Sequence, residues 1–501
     1  CRDLLISISS FWSCIWQPYC LQVFILPKKE MKGKEYFKGD GTVPWWVTSV
    51  SIFATLLSPI SFLSLAGNSY AGTWIMWFAQ LGMLLAIPLT IKFFLPIYSK
   101  LDIDTAYHYL ELRFGSKGLR VLGAVMFIIY QIGRMSIIMY LPCMVLGSLT
   151  GISVNLLIII MGVIAIIYSY TGGLKSVLWT DFIQGSVLLI GVTFALVFLI
   201  VHIDGGMGAI FQAFSLEHKF LAVDQPIFNP NIFKDSVFIL IVGAGFNTMG
   251  YYVSSQDIVQ RFTTTTDTKK LNKMMLTNGA LSIFIATVFY LIGTGLFVFY
   301  KQNALPPAAA QDQIFASYIA FELPVGVTGL LLAAIYAAAQ STLSTGLNSV
   351  ASSWALDIQS NLSKEELGFE KETKIGQRVS LAVGIFSIVV AMVLANGGVK
   401  SAYEWFNGFM GLVLGILIGT FILGAFTKVA NTFGATAAFI AASAVMVYIK
   451  YFVPAGQVTI WSYSIISIAV SLVVGIPASI IWRNIKGDKS EPAPNTTIYK
   501  N

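Results

Sequence analysis

Residues 51–70 read "SIFATLLSPISFLSLAGNSY", a stretch apolar enough for a lipid bilayer that nevertheless carries five serines, a threonine, a proline, a glycine and an asparagine. Pro59 has no N–H to give the helical ladder and its ring crowds the carbonyl four residues earlier, so the carbonyls near Ala54 and Thr55 lose their usual partners. An orphaned carbonyl is costly in hydrocarbon. Such a break survives only where protein covers it or where it lines a wet site. Two readings stay open from these residues: a kinked packing helix whose serines bond back to the previous turn, or an unwound segment whose carbonyls, beside Ser58 and Ser61, face a cation or a polar solute.

The rest of the chain agrees with a membrane setting. Of 501 residues, 56% are hydrophobic and 11% are charged, which a water-soluble core of this length does not require. Apolar runs of about 18 to 25 residues recur, the length a helix needs to cross roughly 30 Å of hydrocarbon. The expected fold class is an all-α polytopic membrane protein with about thirteen transmembrane helices, near 4–26, 46–66, 73–97, 118–148, 153–170, 180–202, 236–260, 274–299, 324–356, 378–396, 404–426, 431–450 and 460–482. Alternate connectors hold 23 basic residues on one side, Arg113, Arg120 and Arg261 among them, and 5 on the other. The positive-inside rule places the richer side in the cytoplasm. The net charge of +7 follows from that topology and does not point to nucleic acid.

Residues 11–27, "FWSCIWQPYCLQVFILP", have a composition foreign to the rest of the chain. A shifted reading frame that replaced a native first helix accounts for it, and resequencing the gene tests that reading. No disulfide framework follows from Cys1, Cys14, Cys20 and Cys143. There is no Walker-type phosphate loop, and no paired intramembrane carboxylates or activated nucleophile suggest an enzyme.

Three further features carry chemistry. In "AAIYAAAQSTLSTGLNSVASS", 333–353, helical spacing places Ser341, Ser344, Thr345 and Asn348 within an arc of roughly 100°, with Thr342 at its edge. A small-residue packing seam is the alternative to an ion site there. Arg134 stands in the middle of "AVMFIIYQIGRMSIIMYLPCMV", 124–145, at a cost of about 2.5–3.5 kcal/mol even on lenient insertion scales. It needs either a substrate carboxylate, which a guanidinium grips in bidentate fashion, or an ion pair from far along the chain. Asp181, in "TGGLKSVLWTDFIQG", is either the acidic cap of a helix or a ligand for a second cation.

Together with "YFKGDGTVPWWVTSVSIFATLLSPISF" (36–62), "SSQDIVQRF" (254–262) and "AAAQSTLSTGLNS" (337–349), these features resemble the sodium/solute symporter family, most closely its bacterial sialic acid branch, over roughly residues 36–485. The resemblance implies a fold like that of the leucine transporter (LeuT-like), with two inverted five-helix repeats. The implied division is an N-terminal helix and cytoplasmic linker at 1–45, repeats at 46–202 and 236–426, an extracellular loop at 203–235, two further helices at 427–482 and a cytoplasmic tail at 483–501. It also implies sodium-coupled import of sialic acid (N-acetylneuraminate) across a bacterial inner membrane, with two sodium ions per sugar. By the same resemblance, the first Na+ is held by backbone oxygens of Ala54, Leu57 and Ala338 with the hydroxyls of Ser341 and Thr342, and the second by Asp181, Ser341, Ser344 and Thr345. Substrate contacts fall to Ser58, Ser61, Gln80, Arg134 and Phe246. One departure is Leu56, where the branch has a threonine. Rival expectations are a symporter for a neutral sugar, proline or a small carboxylate, and a membrane solute sensor.

Overall fold

The structure, a computed structural model, describes residues 37–499 apart from 40, 102, 266, 304–312, 364–367, 398–401, 455 and 488–490. The expected first span at 4–26 and the frameshift reading of 11–27 lie outside the described residues. No strand occurs among the described residues.

The apolar stretch that opens with Trp45 forms two helices, α1 (Trp45–Leu56) and α2 (Pro59–Ala71), bent by 62° at the break. Leu57 (φ −83°, ψ 101°) and Ser58 (φ −93°, ψ 161°) are extended, and Pro59 starts α2 at the position where its missing N–H costs nothing. Then follow α3 (Trp74–Leu101), α4 (His108–Phe114) and α5 (Lys117–Thr150). The run Val154–Val201 is continuous but hinged at Gly173, whose positive φ of 55° suits a residue without a Cβ, and it divides into α6 (Val154–Ile167) and α7 (Gly173–Val201). Next come α8 (Gly206–Leu216), α9 (Val237–Ser254), the short α10 (Gln256–Phe262), α11 (Thr268–Gln302) and α12 (Ile314–Phe321). The last are α13 (Val325–Ser353), α14 (Phe369–Asn396), α15 (Ala402–Phe426), α16 (Thr432–Phe452) and α17 (Tyr463–Lys486).

Among the described residues nine helices are long and apolar enough to cross a membrane, or ten with α1 and α2 taken as one bent span. Two further expected spans, 153–170 and 404–426, fall on α6 and α15, to which the described residues contribute the apolar segments Val154–Ile167 and Leu412–Phe426. Large apolar side chains such as Ile190, Val201, Val473 and Ile485 stay exposed on α7 and α17. That is the surface of a protein solvated by lipid, where apolar faces need not be hidden.

Polar residues instead concentrate inside. The broken helix is held on both halves: α1 packs against α7, α11 and α13, and α2 lies along α11. Ser69 donates to the Tyr290 carbonyl (2.7 Å), and Gly293 lets the α2 backbone come so close that a Cβ there would sit 2.2 Å from the Ala66 carbonyl oxygen. Lys219 caps the end of α2, donating from Nζ to the carbonyls of Tyr70 (2.7 Å) and Gly72 (3.1 Å). Gly293→Ala is therefore expected to push α2 from α11 and to lower the melting temperature by several degrees, the usual result of overpacking by about 1–3 kcal/mol. An unchanged melting curve would mean that α2 is not fixed by this contact.

Candidate functional site: a cavity at the broken helix and a buried charge cluster

The break between α1 and α2 opens onto a cavity of about 190 Å³. Its lining includes Leu56, Ser58 and Ser61 at the break, Gln80 of α3, Tyr130 and Arg134 of α5, and Trp461. On α9 the lining residues are Ala244, Asn247, Thr248 and Tyr251, spaced i, i+3, i+4 and i+7 along one helical face. Four of the five expected substrate residues, Ser58, Ser61, Gln80 and Arg134, thus meet here. The fifth, Phe246, is not among the lining residues: at 100° per residue it lies on the other side of α9, partly buried against an apolar core cluster. Asn247, Thr248 and Tyr251, which the sequence reading missed, occupy the face instead.

Ser58 does not bond back into α1. Its hydroxyl caps α2, accepting from the Ser61 N–H at 3.4 Å. The carbonyl that Pro59 orphans, that of Thr55, accepts from Arg134 Nη2 at 2.6 Å. This answers why the span weakens its own middle: the break supplies an acceptor for a buried guanidinium and turns two serines toward a cavity.

Arg134 is 3% exposed. Its Nη1 donates to the Asp257 carboxylate (2.5 Å) and to the Tyr251 hydroxyl, which itself donates to Asp257 at 2.5 Å. Asp257 also accepts from Ser255 Oγ (2.6 Å) and the Ile258 N–H (3.0 Å). The guanidinium therefore has a resident counter-charge, supplied from far along the chain, while still lining the cavity. Its Nε–H is buried and has no hydrogen-bond partner among the described residues. An unpartnered N–H on that edge, next to a partly engaged Nη2, is half of a carboxylate fork.

A second buried ion pair lies beside it. Asp181 is 0% exposed and accepts from Ser51 Oγ (2.6 Å), Ser341 Oγ (2.8 Å), Thr345 Oγ1 (3.3 Å) and Arg261 Nη2 (2.7 Å). The helix-cap alternative for Asp181 is overturned, because α7 starts at Gly173 and Asp181 is two turns inside it, aimed at α1 and α13. The reading of Arg261 as a connector cation is corrected as well: the break at Ser255 (φ −94°, ψ 119°) redirects α10 into the interior, and Arg261 is fully buried. Arg113 and Arg120, counted with it, are also buried, Arg113 on the carbonyls of Gly424, Thr427 and Ala430 and Arg120 on Asp357 and Glu111.

Of the residues expected at the second sodium, the structure gathers Asp181, Ser341 and Thr345, while Ser344 turns its hydroxyl to the Ser341 carbonyl (3.1 Å). Of those expected at the first, Ala54, Leu57, Ala338, Ser341 and Thr342 are all buried, and Thr342 Oγ1 donates to the Ala338 carbonyl at 3.1 Å.

The model of the sodium:solute symporter family matches residues 36–442. The chain belongs to that family. It is 33% identical to the sodium/sialic acid symporter SiaT of Proteus mirabilis (strain HI4320), over 93% of this chain and 94% of the relative. It is 30% identical to the sodium/sialic acid symporter NanT of Aliivibrio fischeri (strain ATCC 700601 / ES114), over 92% and 91%. The sodium/glucose cotransporter of Vibrio parahaemolyticus is 27% identical over 83% of the chain and 79% of its own length. Among solved structures, the substrate-bound outward-open state of a Na+-coupled sialic acid symporter superposes with a TM-score of 0.86 at 31% identity, covering 96% of this chain and 98% of that one. The nucleobase-cation-symport transporter Mhp1 superposes with a TM-score of 0.58 at 14% identity over 91% and 96%, a likeness of fold alone. The relatives are transporters, and the chain is an all-helical, multi-pass membrane protein of their LeuT-like fold.

Proposed function

We propose that this chain is a secondary active transporter that imports sialic acid into a bacterial cell with sodium, by alternating access across the inner membrane. The division into inverted repeats at 46–202 and 236–426, with thirteen spans in all and the basic connectors in the cytoplasm, belongs to the same proposal. Two relatives that align over nearly their whole length are sodium/sialic acid symporters. The observation that carries the assignment to this cavity is Arg134, whose buried Nε–H lacks a partner among the described residues in a cavity it shares with Ser58, Ser61 and Gln80. A carboxylated, hydroxyl-rich sugar meets that inventory, its acid on the guanidinium and its hydroxyls on the serines and the amide.

One sodium ion sits at Ala54, Leu57, Ala338, Ser341 and Thr342, in contact with the unwound segment, so that it stabilises the bent form of α1 and α2 that the sugar uses. The second sits at Asp181, Ser341, Ser344 and Thr345. Two sodium ions with one sialate carry net positive charge, so a membrane potential of 100 mV and a tenfold sodium gradient together supply roughly 5 kcal/mol. One sodium ion with one sialate is electroneutral and draws only about 1.4 kcal/mol from the same gradient.

A neutral sugar is the second reading, favoured by one observation: Asp257 already balances the charge of Arg134. Uptake of labelled N-acetylneuraminate into proteoliposomes decides between them. Sodium-dependent, electrogenic accumulation that neutral sugars and proline do not compete is the expected result. Accumulation without current refutes the second site as a transported-ion site, and no accumulation refutes the cargo.

A further inference from the structure

Helix α10 is seven residues long, yet it carries two full charges one turn apart, Asp257 and Arg261, both 0% exposed. They point to different partners. Asp257 holds Arg134 at the substrate cavity, and Arg261 holds Asp181 from Nη2 (2.7 Å), with further bonds from Nη2 to Thr345 Oγ1 (2.8 Å) and from Nε to Ser51 Oγ (2.9 Å). Each is thus the resident counter-ion of a group that the proposed cargo requires. The guanidinium of Arg261 lies among Asp181 and Thr345, where a cation would bind.

We propose that α10 couples sugar to sodium by exchange of ion pairs, an inference that rests on reading Asp181, Ser341, Ser344 and Thr345 as a cation site. Without cargo, Asp257 neutralises Arg134 and Arg261 neutralises Asp181. With cargo, the sugar carboxylate takes Arg134 and sodium takes Asp181. Asp257 and Arg261 are then released together, and their i, i+4 spacing lets them pair with each other. Arg261 Nη1 already donates to the Asp257 backbone carbonyl, so the guanidinium lies against that turn before any exchange. No charge is stranded in a low-dielectric interior at the end of the exchange, which an arrangement with only one of the two cargoes cannot achieve.

Sodium alone would leave Arg261 with its new partner still engaged on Arg134, and sugar alone would leave Asp257 in the converse position. Each ligand therefore completes the pairing that the other begins. That is positive coupling with a named two-state element.

The exchange predicts opposite shifts for the two ligands. Replacing Arg261 by glutamine (Arg261→Gln) removes the resident cation, so sodium binds Asp181 more tightly. It also removes the partner that draws Asp257 from Arg134, so sugar at saturating sodium binds more weakly. The test uses the purified full chain, with sodium titrated by tryptophan fluorescence in the absence of sugar and N-acetylneuraminate titrated by calorimetry at low and saturating sodium. The expected outcome is about a fivefold or larger tightening for sodium, with a loss for sugar of similar size, and a coupling factor that falls toward one from the 5–150 usual for linked sites. If both ligands weaken together and the coupling factor is unchanged, Arg261 is scaffolding and the proposal is overturned.

Should Arg261→Gln fail to fold, the wild-type chain provides the test through hydrogen exchange of a peptide spanning 255–262, compared in choline, in sodium and in sodium with sugar. Altered exchange in this peptide with both cargoes, beyond that with either alone, supports the proposal, and unchanged exchange overturns it. A wild-type chain that binds sodium but no N-acetylneuraminate would refute the cargo assignment instead, with the sodium arm of the Arg261→Gln experiment still deciding the role of Arg261.

Discussion

Replacing Arg134 by alanine is expected to abolish binding of N-acetylneuraminate at saturating sodium, a loss of at least about a hundredfold. The magnitude follows from a forked, charge-assisted contact, in which each hydrogen bond to a charged group is worth about 1.5–3 kcal/mol and every 1.4 kcal/mol is tenfold in affinity. The alanine variant also strands Asp257, which is fully buried, so part of its loss is structural. Arg134→Lys separates the two effects. An ammonium keeps a counter-charge for Asp257 and thus most of the thermal stability, but it cannot present the paired N–H groups of a fork. Calorimetry is expected to show sugar binding weakened by about tenfold to a hundredfold in Arg134→Lys, while the ligand-free melting temperature stays near that of the wild type. Near-native sugar affinity in the lysine variant would assign Arg134 to its pair with Asp257 and leave the cavity without an acid-binding group.

What could be read from the chain beforehand depended on whether a feature is local. The break at Pro59 is local, because a residue without an N–H disrupts the ladder wherever it falls in a helix, and both the break and its orphaned Thr55 carbonyl are where that rule puts them. The hydroxyl stripe of α13 follows from helical phase in the same way. Arg134 stands out because a charge in the middle of an apolar run has to be answered by something.

What answers it is not local. Asp257 is separated from Arg134 by more than a hundred residues and lies at the end of an apolar run, where a charge ordinarily marks the membrane surface. Only the bend at Ser255 turns those last residues inward, and no proline or glycine within 251–262 announces it. The depth of Asp181 within its helix is hidden for a related reason. The expected span began at 180, whereas the helix begins at the glycine hinge seven residues earlier, which converts an apparent cap into an interior carboxylate. Phe246 shows a third limit: naming the right helix does not fix which face meets the cavity until its neighbours are known.

Asp181→Ala is expected to do more than remove a proposed sodium ligand. Arg261 would lose its only carboxylate partner among the described residues, and breaking a buried pair from one side costs about 3–5 kcal/mol because the remaining charge is uncompensated. The melting temperature should fall by several degrees, and the sodium dependence of sugar binding should lose steepness, its Hill slope moving toward one as the site at Ala54, Leu57, Ala338, Ser341 and Thr342 acts alone. Adding Arg261→Gln to Asp181→Ala removes the stranded guanidinium. The double variant should therefore recover much of the lost stability while keeping the shallow sodium dependence, a coupling between neighbours that additive effects cannot produce. Thermal unfolding without ligand and sugar binding across a sodium series measure the two halves independently. A double variant no more stable than Asp181→Ala would deny that Arg261 is the charge left behind, and an undiminished Hill slope in both would deny that Asp181 binds sodium.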